Sequence, residues 1–176
     1  CVNTCNVKAN FESTSNAYCV GSNILFSNLS ELAGSYSWYV NGVLVSSAVN
    51  FSYTFNNAGQ QIVKLIASNG NCSDTLELAF MVELPPIANF TYHHDGKLLN
   101  CVPSNLNNDN YHWDFGNSIA LNTLDSANYV YPDLGIFNVC LTVNNQCSSV
   151  TSCSLIDMNV YSSGSFQTAL SIPGMN

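Results

Sequence analysis

Apolar and polar positions alternate with a period of two in several short stretches of the chain. Val63, Leu65 and Ala67 form one such series, Leu76, Leu78, Phe80 and Val82 a second, and Val139, Leu141 and Val143 a third. That period sends successive side chains to opposite faces and predicts half-buried antiparallel strands. Asn41-Gly42, Asn69-Gly70 and Asp95-Gly96 mark turns between them. No helical stripe interrupts this rhythm, so the pattern predicts an all-β chain of small sandwiches.

A repeat sharpens the prediction, because repeated landmarks in fixed order imply repeated units. "ANF" at 9–11 returns at 88–90, "CVGSN" at 19–23 is answered by "CVPSN" at 101–105, and Trp38 in "YSWYVNG" by Trp113 in "YHWDFGN". "YTF" at 53–55 matches "YVY" at 129–131, Gly59 matches Gly135, and "CS" at 72–73 matches "CS" at 147–148. The expected organisation is a first sandwich over 1–84, a second over 85–158 and a tail over 159–176. Pro85 and Pro86 favour an extended, fairly stiff joint. One tryptophan per unit is expected in the core, with Phe11, Phe90, Tyr53 and Tyr131.

Composition narrows the function classes. Three Lys plus Arg against eleven Asp plus Glu give a net charge of -8, which opposes binding to phosphate backbones and anionic lipid. Nucleic acid is therefore excluded as an expected partner. No apolar run is long enough to span a bilayer, and the chain opens without a basic start and apolar stretch, as expected of a mature or excised segment. Charged residues make up only 8% of the chain, so Asn, Ser, Thr and Tyr supply most of its polarity. Eight cysteines without zinc-ligand spacing point to disulfides, hence to an oxidising, extracellular or cell-surface location.

The second tryptophan motif, "YHWDFGN", with "YVY" and the following "LGIFNVCLTVNN", resembles the PKD (polycystic kidney disease) domain. The resemblance implies tandem immunoglobulin-like sandwiches of a bacterial surface or secreted protein. It covers roughly residues 6–158 and is more specific in the second unit. In the first, "WYVNG" resembles a variant in which Asn-Gly replaces the acidic-Gly turn. Asn117 and Ser118 stand where the family usually carries Asp and Gly.

The repeat suggests one equivalent bridge per unit, Cys19 to Cys72 and Cys101 to Cys147, and the resemblance implies the same pairs. Cys140 and Cys153 remain within one hairpin, and a cross-strand bond is the natural reading. If the last strand keeps the parity of Leu78, however, Cys153 faces inward and Cys140 outward, and the bond needs a bulge. Cys1 and Cys5 bond to each other or to a neighbouring chain; alternatively Cys1 is a lipoprotein's modified first residue.

Reactive constellations are scarce. The sequence contains no nucleophile elbow, zinc-protease motif or phosphate loop. His93, His94 and His112 offer metal ligands only if the fold gathers them, and Asp109, Asp114 and Asp125 a calcium site only if their loops converge. The expectation is no catalysis, no cofactor and no bound metal. Tyr39, Tyr111 and Tyr129 are candidates for a glycan-stacking platform. Asn28, Asn50, Asn71 and Asn89 begin N-x-S/T sequons, and Thr75 and Ser126 lie in Asp-Ser/Thr-apolar triplets resembling the O-glycosylation motif of Bacteroidota.

In the tail, Phe166, Leu170 and Ile172 belong to a strand-like alternation beyond the second sandwich. Added to a sheet edge of the next subunit, this strand yields head-to-tail assembly; the alternatives are packing on its own unit or the start of a further repeat. The expected protein is a non-catalytic structural or adhesive subunit or segment of a bacterial surface filament. Self-association is expected, with a glycan or cell-surface ligand as a candidate partner. The competing reading is an ancillary carbohydrate-binding module pair of a secreted hydrolase.

Overall fold

The computed structural model describes residues 6–106, 110–123, 125–160 and, by backbone alone, 167–169. The chain divides into two compact units, Cys1–Leu84 and Pro85–Asn176. All regular structure among the described residues is β.

In the first unit, β1 (Phe11–Ser13), β2 (Asn23–Asn28) and β5 (Phe51–Thr54) form one antiparallel sheet in the order β1-β2-β5. The facing sheet runs β4-β3-β6-β7, from β3 (Ser35–Val40), β4 (Val43–Ser46), β6 (Gly59–Ser68) and β7 (Ser73–Val82). The second unit repeats this plan. β8 (Phe90–Asp95), β9 (Leu98–Pro103) and β12 (Ala127–Val130) form one sheet, and β10 (Asn110–Asp114), β11 (Ala120–Thr123), β13 (Ile136–Asn144) and β14 (Ser149–Asp157) the other. These are immunoglobulin-like sandwiches, with a three-stranded first-second-fifth sheet packed on a four-stranded one. A short strand, β15 (Gln167–Ala169), joins the outer edge of β8.

Each core is the inward half of the period-two pattern. Trp38, Val63, Leu65 and Phe26 have no solvent exposure in the first unit, nor do Trp113, Val139, Leu141 and Phe90 in the second. Phe11 and Tyr131 are also buried, whereas Tyr53 is only partly so. A buried indole N–H needs an acceptor, and both find one in the loop before the fifth strand of their unit: Trp38 Nε1 donates to Ala48 O at 3.0 Å, and Trp113 Nε1 to Asp125 O at 3.2 Å.

Ladder register determines which positions correspond. Trp38 lies opposite Leu65 and Trp113 opposite Leu141, so the tryptophans match. Ser13 lies opposite Phe26 and Tyr92 opposite Cys101, while Phe11 and Phe90 begin their strands. On the other flank of these strands Phe26 meets Phe51 and Cys101 meets Ala127. Cys101 therefore occupies the place of Phe26 in the core. The match of "CVGSN" to "CVPSN" is a coincidence of letters: the first precedes β2, whereas Cys101 lies inside β9.

The turn after Trp113 requires a glycine. Gly116 has φ of +72°, and a Cβ there would lie 2.6 Å from the carbonyl oxygen of Asn138. In the first unit the corresponding Asn41 holds a φ of +50°, and its Oδ1 accepts the Ile62 N–H at 2.9 Å. Asparagine tolerates the left-handed region because its short amide bonds the local backbone.

Candidate functional site

The cysteines form the most distinctive chemical set in the chain, and the structure rearranges their predicted pairing. Cys140 and Cys153 are bonded, with 4.0 Å between their Cα atoms. They lie directly opposite one another in the β13–β14 ladder, with no bulge. The inward position equivalent to Leu78 is one residue beyond Cys153. Leu78 lies opposite Val63, and the matching pair is Val139 and Ser154, so Cys153 takes the outward place of Glu77. A shift of one residue inverts the face of a strand residue.

The two predicted repeat bridges do not form. Cys101 is a free thiol, fully buried. Cys19 and Cys72 are each disulfide-bonded, and their places in the fold exclude a bond between them. Cys19 bridges to Glu83 at one end of β7, whereas Cys72 precedes Ser73 at the other. The length of that strand, about 30 Å at ~3.3 Å per residue, separates them, against a reach of about 7 Å between Cα atoms for a disulfide. Cys147 is also disulfide-bonded. It is the third residue of the turn between Asn144 and Ser149, whereas Cys72 is the fourth residue of the turn between Ser68 and Ser73. The two "CS" pairs are thus one position out of step. Cys1 and Cys5 lie outside the described residues.

Burial governs the chemistry of Cys101. Removal from water penalises the thiolate and pushes the pKa from 9.0 up to about 12. Burial also raises Tyr131 and Tyr92, with a smaller contribution in each from Cys101. The Tyr131 hydroxyl donates to Phe115 O at 2.8 Å, and its ring stacks on Phe137 at 3.8 Å between centroids. This is a packed interior whose thiol stays protonated, quite unlike the electropositive, accessible setting of a reactive cysteine.

The remaining polar candidates are dispersed. Among the described residues no group of three His, Cys, Asp or Glu side chains is placed to hold a metal ion. His94 is buried in β8, and His112 on β10 bonds Asn122 through Nδ1 to Oδ1 at 2.7 Å. Asp114 Oδ1 accepts the Gly116 N–H at 2.8 Å, holding the turn. Asp109 lies outside the described residues. Tyr111 is buried in the core, Tyr129 stacks on Phe115 at 4.6 Å, and Tyr39 belongs to the other unit, beneath Lys64. Buried in this way, Tyr111 presents no ring face to a ligand.

Asn117 Nδ2 donates to the Tyr129 hydroxyl at 2.9 Å, and Ser118 adopts a φ of +67° where the PKD pattern has Gly. Thr75 and Ser126 are exposed, as are Asn50 and Asn71, while Asn28 and Asn89 are half-buried. Asn28 Oδ1 is engaged, accepting the Ser30 N–H at 2.9 Å. Two features escaped the sequence reading. Asp74, on the first unit's edge strand, accepts the Ala9 N–H at 2.9 Å, and this bond, followed by that from Thr75, lowers its pKa. Ser152 is buried with its hydroxyl unbonded among the described residues. Its pairing with Leu141 matches Leu76 opposite Leu65, an apolar position by parity.

The tail supplies a backbone site. Gln167 lies opposite Tyr92, Thr168 opposite Thr91 and Ala169 opposite Phe90, so β15 extends the β8 edge antiparallel within its own unit. Phe166, Leu170 and Ile172 lie outside the described residues. Among the described residues no helix is long and apolar enough to cross a membrane.

No protein-family model matches the chain, and no curated protein does. Several solved structures match it at low similarity. An amphioxus IgVJ-C2 molecule matches at 14% identity and a TM-score of 0.44, covering 80% of this chain and 99% of that one. The titin Z1Z2 domains, solved in complex with telethonin, match at 14% identity and a TM-score of 0.34, covering 86% and 95%. A quinonprotein alcohol dehydrogenase-like protein from Bacteroides thetaiotaomicron matches at 14% and 0.35, covering 90% of this chain and 41% of its own. Identities and scores of this size carry no information about activity. The immunoglobulin-like assignment stands on the strand order itself.

Proposed function

We propose that this chain is a non-catalytic extracellular structural or adhesive protein, a PKD-type module pair that serves as a subunit or segment of a bacterial surface filament assembled head to tail. The observation that carries the reading is β15, a strand beyond the completed second sandwich that binds a sheet edge by backbone pairing. Such pairing depends little on side-chain identity and transfers readily to another exposed edge. The disulfides suit an oxidising exterior. Exposed Thr75 and Ser126 are the proposed O-glycosylation sites, with Asn50 and Asn71 the more accessible sequons.

Electron microscopy of native material, beside the same chain truncated after Asp157, tests the proposal. Fibres that vanish with the tail support it. Monodisperse particles in both samples overturn it and favour glycan-binding assays, the test of the hydrolase-accessory reading.

A further inference from the structure

We infer that the receiving edge for the tail in such an assembly is β1 of the next copy, and that β8 holds the tail in cis as a self-capped monomer. This inference rests on the filament reading and specifies the partner surface it lacks. The two edges are the same element in two copies of one fold. In each unit the strand carrying Phe11 or Phe90 is outermost in the three-stranded sandwich sheet. The β8 edge is extended by β15, whereas β1 has no further strand beside it among the described residues.

Hydrogen-bond parity reinforces the match. In an antiparallel ladder, alternate residues direct both backbone groups to the same neighbour. Asn10 O accepts from Leu29 N at 2.8 Å, and Thr14 N donates to Leu25 O at 3.2 Å, so the residues bonded toward β2 alternate through Asn10, Glu12 and Thr14. Phe11 and Ser13 consequently present N–H and C=O to the open side. In the second unit Asn89 O accepts from Ser104 N at 2.8 Å, which places Phe90 and Tyr92 on the outward side, opposite Ala169 and Gln167. Phe11 and Ser13 thus offer the backbone groups that Phe90 and Tyr92 use to hold β15.

Pairing the tail of one copy with β1 of the next joins unlike surfaces, so the assembly always keeps a free tail at one end and a free edge at the other, and growth continues. Cis pairing competes through the high effective concentration of a tethered segment. Polymerisation then requires either concentrated subunits or release of the tail from β8.

The test uses the full-length oxidised chain. In register, Glu12 takes the position of Thr91, opposite Thr168. A Glu12→Cys/Thr168→Cys variant is expected to give a ladder of disulfide-linked dimers, trimers and higher species on a non-reducing gel of its fibres. Thr91→Cys/Thr168→Cys is expected to close within one chain and reduce fibre yield at least tenfold, recovering on reduction under conditions that spare the native bridges. Ser13→Pro removes an outward N–H without touching the β1–β2 ladder, and is expected to abolish fibres while changing the melting temperature by only a few degrees. Wild-type fibres accompanied by no ladder, by a cis lock without effect, or by normal Ser13→Pro assembly overturn β1 as receiver and leave the filament reading intact. Absence of fibres from every chain, wild type included, overturns both.

Discussion

The equivalence of Phe26 and Cys101 predicts very different costs for the same truncation at the same place in two sandwiches. Phe26 has no solvent exposure and touches five aromatic rings: Phe11, Trp38, Phe51, Phe55 and Phe80, with centroids 5.1–6.5 Å away. Phe26→Ala removes the whole ring and leaves a cavity among rigid neighbours, at a cost of about 3–5 kcal/mol. Cys101→Ala removes one sulfur atom and costs about 1 kcal/mol, comparable to a buried methylene. At roughly 4–8 °C per kcal/mol for a domain of this size, the first variant is expected to lower the melting of its own unit by more than about 12 °C. Hydrogen exchange read by mass spectrometry across a denaturant series reports the units separately, through peptides from β6 and β13. Faster exchange in β6 with β13 unchanged is expected for Phe26→Ala, and a small loss in β13 alone for Cys101→Ala. Equal penalties at the two positions would refute the assigned correspondence, and with it the claim that the cysteine motifs are misaligned.

Other perturbations follow from individual contacts. The Cys101 thiol is held protonated well above its unfolded pKa, so its contribution to stability is complete below about pH 9 and is lost as pH rises towards 12. Denaturation midpoints from pH 8 to 11 are expected to fall less steeply in Cys101→Ala than in the wild type, and parallel slopes count against the assignment. Asp74 has the opposite sign: its lowered carboxyl supports the fold above the ordinary carboxylate value of 3.8, and this support disappears as pH falls through the folded pKa. The stability gap between wild type and Asp74→Asn is expected to close in acid, whereas a constant gap sinks the Ala9 contact as its cause. Ser152→Ala eliminates an unbonded buried hydroxyl and is expected to stabilise the second unit by about 1 kcal/mol, measured by chemical denaturation; destabilisation disproves that reading. Gly116→Ala combines a left-handed φ with a backbone clash, and is expected to cost several kcal/mol. Near-wild-type melting of that variant rules the constraint out.

The sequence exposed the large-scale plan because tryptophans and alternating aliphatics are constrained by burial over a whole strand. Trp38 and Trp113 each need a core position and an acceptor for the indole N–H, which few sites provide, so their correspondence survives comparison in three dimensions. Cysteines carry no such local constraint. A disulfide specifies two points in space, and a letter match says nothing about strand parity. Cys101 looked like a partner for Cys147 because "CVPSN" echoes "CVGSN", yet Leu99, Cys101 and Pro103 alternate inward along β9. That period, visible in the sequence, was the better guide.

The same physics accounts for what each unit does with the vacated volume. Where the first sandwich places Phe26 and Phe51 on one sheet and Val40 on the other, the second has Cys101 and Ala127 facing a core that includes Phe115, the register counterpart of Val40. Bulk has moved between sheets while each interior remains closed, as expected when cores conserve volume and pattern more strictly than identity. A buried free thiol is therefore a packing choice, and redox behaviour is left to the cysteines nearer the surface. Cys140–Cys153 joins two strands already in register. Its loop of 13 residues limits its stabilisation to about 3 kcal/mol in the chain-entropy model, less to the extent that the hairpin persists in the unfolded chain. The bridge thus secures a hairpin on the four-stranded sheet, while β15 occupies an edge of the opposite sheet. A tail that leaves β8 can do so without disturbing that hairpin, as strand exchange between copies requires.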